Sequence, residues 1–147
     1  MTEVMFHFNV ADKVDYACRL LRKAHAHGAR VGVLAELEAL HALDTALWSF
    51  APLAFIPHCL ADAPAPLRDA TPIVLASRCS ELADSSLLVH LGQALPQGFE
   101  RFERLIELVG SDTADRTHAR LRWRHYAERG YAIASHDAAR PQEPHAD

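Results

Sequence analysis

The chain has 147 residues, 50% of them hydrophobic and 23% charged, enough apolar material for one domain that buries roughly two-thirds of its unfolded surface. Its net charge of -4 argues against a general coat for nucleic acid, because such domains carry a basic excess. No run approaches the roughly 18 apolar residues that span a bilayer, and Met1-Thr2-Glu3-Val4 is not a basic stretch leading into an apolar one, so a cytoplasmic location is expected.

Val4, Phe6 and Phe8 alternate with Met5, His7 and Asn9, which predicts a strand over Glu3 to Val10. Lys13 to His27 carries Val14, Ala17, Leu20, Leu21 and Ala24 at helical spacing, and Gly28 supplies a stop. Arg30 to Ala35 is a short apolar run of buried-strand type, after which Glu36 to Trp48 resumes the helical period through Leu37, Leu40, Leu43, Ala46 and Leu47. Strand, helix, strand, helix at this spacing predicts right-handed crossovers onto a mostly parallel sheet, in a single three-layer α/β domain. Five of the eight prolines fall between Phe50 and Pro72, a stretch expected to be irregular. Thr71 to Ser77, Ser86 to Leu91 and Arg104 to Val109 read as further strands, with Phe99 to Leu105 open to a helical start. Ser111 is the expected N-cap of a helix that runs to Gly130, with Asp112 and Asp115 complementing its dipole. From Ser135 the apolar period is lost, so residues 135–147 are expected to form a disordered tail behind a folded domain at 1–134.

Familiar catalytic and cofactor motifs are missing. Neither G-x-x-x-x-G-K-[ST] nor G-x-G-x-x-G occurs, so the backbone has no evident phosphate cradle. No G-x-S-x-G elbow is present. Cys59 beside His58 follows a proline turn and does not open a helix, where a thiolate would be favoured. Cys18, Cys59 and Cys79 are odd in number and widely spaced, as reduced thiols would be. His25 and His27 point to different faces of a helix, so neither a metal site nor a cofactor is expected.

Arginine is the exception to this quiet pattern. Thirteen of the fifteen basic residues are arginine, and Arg116, Arg120 and Arg124 recur at four-residue steps on one helix face with Trp123 along its edge. Ala119, Arg122 and Tyr126 fall on an adjacent sector. Two readings of the stripe stand side by side: a solvated face with Trp123 in the core, or a clamp for an acidic peptide with an apolar end. Trp48 precedes the proline-rich stretch and Phe55 lies within it, as core residues or as interface anchors.

In order along the chain, Leu43-Asp44-Thr45-Ala46-Leu47-Trp48, Phe55-Ile56-Pro57-His58, Leu88-Val89-His90-Leu91-Gly92, Phe99 to Glu107, and Ala119 to Tyr126 with Gly130-Tyr131 resemble the chi subunit family of bacterial DNA polymerase III. The resemblance covers residues 1–134. It implies a nucleotide-binding-like α/β topology without a phosphate loop and without catalysis of its own. It further implies an adaptor between the clamp-loader assembly and the single-stranded-DNA-binding protein (SSB), whose acidic C-terminal tail ends in phenylalanine. The family's tail-binding positions fall on Val109, Arg116, Arg120 and Arg124, with Trp123 where an aromatic is expected. Arg120 is then the principal carboxylate contact, while Val109 and Trp123 line a slot for the terminal phenylalanine. A second surface, for the psi subunit or a helicase-like repair protein, maps to Trp48 and Phe55. Arg116 and Arg124 stand where lysines are common in the family, which keeps the charge. The competing expectation is direct binding of nucleic acid or nucleotide by the same arginine face; an enzyme using His58 and Cys59 is a third.

Overall fold

Short strands that are apolar on both faces need cover on both sides, and the order of elements supplies it. The computed structural model describes residues 1–49, 56–82 and 86–139. Its strands are β1 (Glu3–Val10), β2 (Val31–Leu34), β3 (His58–Leu60), β4 (Ile73–Ala76), β5 (Leu87–His90), β6 (Arg104–Gly110) and β7 (Ile133–Asp137). Its helices are α1 (Lys13–Ala26), α2 (Leu37–Ser49), α3 (Ala65–Ala70) and α4 (Thr113–Glu128). All seven strands lie in one sheet in the order β3-β4-β2-β5-β6-β1-β7, and every pairing is parallel.

One face is covered by Ala17, Cys18 and Leu21 of α1 with Leu40, Leu43 and Leu47 of α2, packed on Val33, Leu75, Val89 and Leu108. On the other, Ala119 and Tyr126 of α4 join Phe99, Phe102 and Leu82 over Phe6, Leu88 and Leu105. This is the expected three-layer α/β architecture. Gly32 in β2 allows the close cover, since a β-carbon there would lie 2.8 Å from Leu82 Cδ1. Gly28 and Gly130 follow α1 and α4 with φ of +76° and +80°, the left-handed conformation that ends a helix without penalty in glycine. The three cysteines are free, with Cys18 and Cys79 buried and Cys59 half-buried.

Three expectations are corrected. The proline-rich stretch is not wholly irregular: it holds the short edge strand β3 and α3, where Pro66 sits in the first turn and its missing N–H costs nothing. Asp112, not Ser111, caps α4, because its carboxylate reaches the Asp115 amide at 3.1 Å. Ser135 does not begin a structureless tail, since β7 pairs in register with β1 from Val4↔Ile133 to Phe8↔Asp137. Backbone pairing holds this half-exposed edge strand, and that needs no apolar period. Residues 140–147 lie outside the described residues.

An acid sits at the centre of this apolar architecture. Glu107 of β6 is fully buried, accepting from His90 Nδ1 at 2.6 Å and from the Tyr126 hydroxyl at 2.6 Å. Arg122 Nε lies 3.1 Å from the same carboxylate, and Arg122 also donates to the Gln93 carbonyl at 2.7 Å. Burial pushes the Glu107 carboxyl upward, but His90, Arg122 and Tyr126 together outweigh it and hold it below the usual carboxylate range. The Tyr126 hydroxyl is pushed up by burial and by Glu107. A second buried acid, Asp115, accepts from Lys13 Nζ at 2.7 Å and from the Gly110 amide at 2.6 Å, which pins the start of α4 to α1 and to the end of β6.

Glu107→Leu leaves Arg122 buried without its counter-charge and is expected to destabilise the fold by about 3–5 kcal/mol, read from urea denaturation; adding Arg122→Leu recovers part of the loss. Acid sensitivity should come in two stages. Burial, then the charges of His136, Arg104 and Lys23, hold His7 from 6.5 down to about 4, so the unfolded chain takes up its proton first and stability falls across that interval. Glu107 and Asp115 are also depressed, so their contribution is intact above about 4.3, the ordinary glutamate value, and is lost as pH falls below it. Thermal melts against pH should show both stages, and His7→Gln should flatten only the upper one.

Candidate peptide-binding groove

The inward pull on Arg122 and Tyr126 fixes how α4 is rotated about its axis. Asp115, Ala119, Arg122 and Tyr126 form its buried face, so at roughly 100° per residue Arg116, Arg120, Trp123 and Arg124 emerge on the neighbouring flank. This flank does not face open solvent alone. It forms one wall of a groove of about 840 Å³, with Phe6, Phe8 and Asn9 of β1 and Ser135 of β7 opposite. Val109, Arg116, Arg120, Trp123 and Arg124 all line it, so the structure brings together every residue singled out on this helix and strand.

The groove is apolar below and basic along one rim. Phe6 is buried and its ring stands 5.0 Å from that of Trp123, while Phe8 and Trp123 are 36% and 39% exposed, leaving aromatic surface open. Arg120 and Arg124 are exposed and make no hydrogen bond or ion pair among the described residues. Arg116 is held, donating from Nη2 to Asn9 Oδ1 at 2.9 Å. Asn9 reaches it from a bulge where the β1–β6 register shifts, with φ of 60°. From Arg116 to Arg124 the helix rises roughly 12 Å, the span of about four residues of extended peptide.

Sequence reasoning missed Phe6, Phe8, Asn9 and Ser135 as groove residues. The first two share a strand face, which the alternation does show, but nothing in the sequence says that α4 leaves that face partly uncovered. Asn9 carried a faint signal, being a residue type that tolerates positive φ.

The second surface is less developed. Trp48 is 60% exposed at the end of α2, with its ring 5.0 Å from that of His58. Phe55 lies outside the described residues. His58 is buried and engaged by the Ile56 carbonyl at 2.7 Å and Asp44 at 3.1 Å, not by Cys59. Among the described residues no group of three or more His, Cys, Asp or Glu could hold a metal ion, and no helix is long and apolar enough to cross a membrane.

Comparison with known proteins agrees with this fold. The chain is 36% identical over 125 residues to the DNA polymerase III subunit chi of Pseudomonas aeruginosa strain PAO1, covering 84% of this chain and 85% of that one. Among solved structures it is similar to S. cerevisiae Dbp5 bound to Nup159, Gle1, IP6 and ADP, with a TM-score of 0.60, 13% identity, and coverage of 95% of this chain and 42% of that chain. The C-terminal domain of the DEAD-box protein Dbp5 gives a TM-score of 0.58 at 12% identity, covering 91% and 89%. Likeness at that identity extends to the fold alone. The family model described as DNA polymerase III chi subunit, HolC, matches residues 1–134, and with the Pseudomonas relative it identifies this chain as a member of the DNA polymerase III chi subunit family.

Proposed function

We propose that this chi-family chain is a non-catalytic replisome adaptor that links the clamp-loader assembly to SSB by gripping the acidic, phenylalanine-terminated tail of that protein in the α4 groove. One observation carries the reading: an apolar floor with open aromatic surface lies directly beside a row of arginines, two of which have no partner among the described residues. An acidic peptide with an apolar end needs both. Arg120, at the middle of the row, takes the terminal carboxylate, and its planar fork suits that group. Arg116 and Arg124 supply the surrounding field, while Val109 and Trp123 wall the slot for the phenylalanine. The net charge of -4 supports selectivity, because attraction confined to one groove on an acidic surface does not extend to every polyanion. Trp48 marks the separate surface for psi or a helicase-like partner, and its exposure supports that role; Phe55, the other residue assigned to that surface, lies outside the described residues.

Isothermal titration with a short aspartate-rich peptide ending in phenylalanine tests the groove. Arg120→Ala should weaken binding by about 1.5–3 kcal/mol, the scale of a charge-assisted hydrogen bond, and unchanged affinity would remove the assignment. Binding should also weaken as salt rises from low to physiological ionic strength, since the arginines are exposed. Fluorescence anisotropy with single-stranded DNA covers the competing possibility: tight binding without SSB would favour direct contact by the arginine face. Trp48→Ala should reduce capture of the second partner while peptide titrations remain as in wild type.

A further inference from the structure

The family match ends at residue 134, yet β7 continues to Asp137 and its last residues touch the groove. Ser135 lines it, and the Ala138 amide donates to the carbonyl of Phe8 on the groove floor at 2.8 Å. Asp137 Oδ1 accepts from Asn9 Nδ2 at 3.1 Å, and Asn9 Oδ1 accepts from Arg116 Nη2 at 2.9 Å. Asn9 is the one non-glycine residue with positive φ among the described residues, in a conformation that asparagine tolerates better than most. A bulge and an unfavourable backbone angle thus place one side-chain amide between the last strand and the first arginine of the row.

We propose that β7 is a positioning strap for the groove: Asp137, acting through Asn9, presets the Arg116 guanidinium before a peptide arrives. This rests on the peptide-binding reading above. The physical gain is in order. A free arginine side chain has many rotamers, and binding that must immobilise it is weakened by the entropy lost; a side chain already held loses less. Asn9 can hold it because both ends of its amide are engaged, the oxygen by Arg116 and the nitrogen by Asp137. Asn9 and Asp137 are positioning residues, and Arg116 is the side chain they hold so that its charge faces the peptide's acidic residues beside the Arg120 contact.

The test is titration of the full-length protein with the aspartate-rich, phenylalanine-ended peptide, together with thermal melts. Asn9→Gly suits the backbone angle while deleting the amide, so the fold should hold and affinity should drop about three- to tenfold, the net worth of roughly one hydrogen bond. In an Arg116→Ala background the same change should cost nothing further, because the interaction it supports is gone. Asp137→Asn and Asp137→Ala remove the same charge, so weaker binding by the alanine variant alone reads the acceptor. Wild-type affinity in Asn9→Gly, or an equal loss with and without Arg116, overturns the strap and leaves the groove standing. A wild-type protein that ignores the peptide overturns the groove reading itself, and the strap with it.

Discussion

The ionised Glu107 carboxylate is the constraint from which the working face of this molecule follows. A charge in the middle of a sheet is tolerable only with donors and a counter-charge around it, and here His90 on β5 donates while α4 supplies the opposite charge of Arg122 and the hydroxyl donor of Tyr126. Those last two lie one turn apart on the helix, so satisfying the acid sets the angle at which α4 meets the sheet. The arginine row has no such obligation and is left on the flank. Asp115 does the same at the other end, where Lys13 and the Gly110 amide anchor the first turn. The helix is thus held at two polar points, and the apolar contacts between them fill space without having to choose a rotation.

Held in this way, α4 separates its own arginines. Four arginines in the helix have two different fates: one is desolvated and neutralised by the core, while three stay at the rim of an aromatic floor. At physiological ionic strength exposed charges are felt over about 8 Å, so the field of the row is confined to the groove and its immediate surroundings. The overall negative charge works against long-range capture of nucleic acid without cancelling the local field.

Much of this was legible in residue order. β1, α1, β2 and α2 follow from period alone, because alternation and 3.6-residue spacing leave few other packings. The helical stripe was legible too, and its residues do meet in one groove. What spacing could not show was whether the stripe faced solvent or a floor, since that depends on β1 and β7 meeting beneath it. Glu107 gave a visible sign, an acid inside Leu105-Ile106-Glu107-Leu108-Val109, but its partners are distant in sequence. β7 escaped because an edge strand held by backbone pairing makes little demand on side-chain type, and α3 because its prolines look like breakers unless they fall in a first turn.

β1 is the first strand in the sequence, yet Val4 lies between Leu105 and Ile133, residues from the last part of the fold. During synthesis this strand emerges early and must wait, unpaired on both edges, until β6 and β7 follow. The groove inherits the same timing, since its floor comes from the start of the chain and its wall from α4 near the end. A chain that stops before α4 therefore carries the aromatic floor without its arginine wall, and the peptide recognition proposed for the groove would require both parts of the fold.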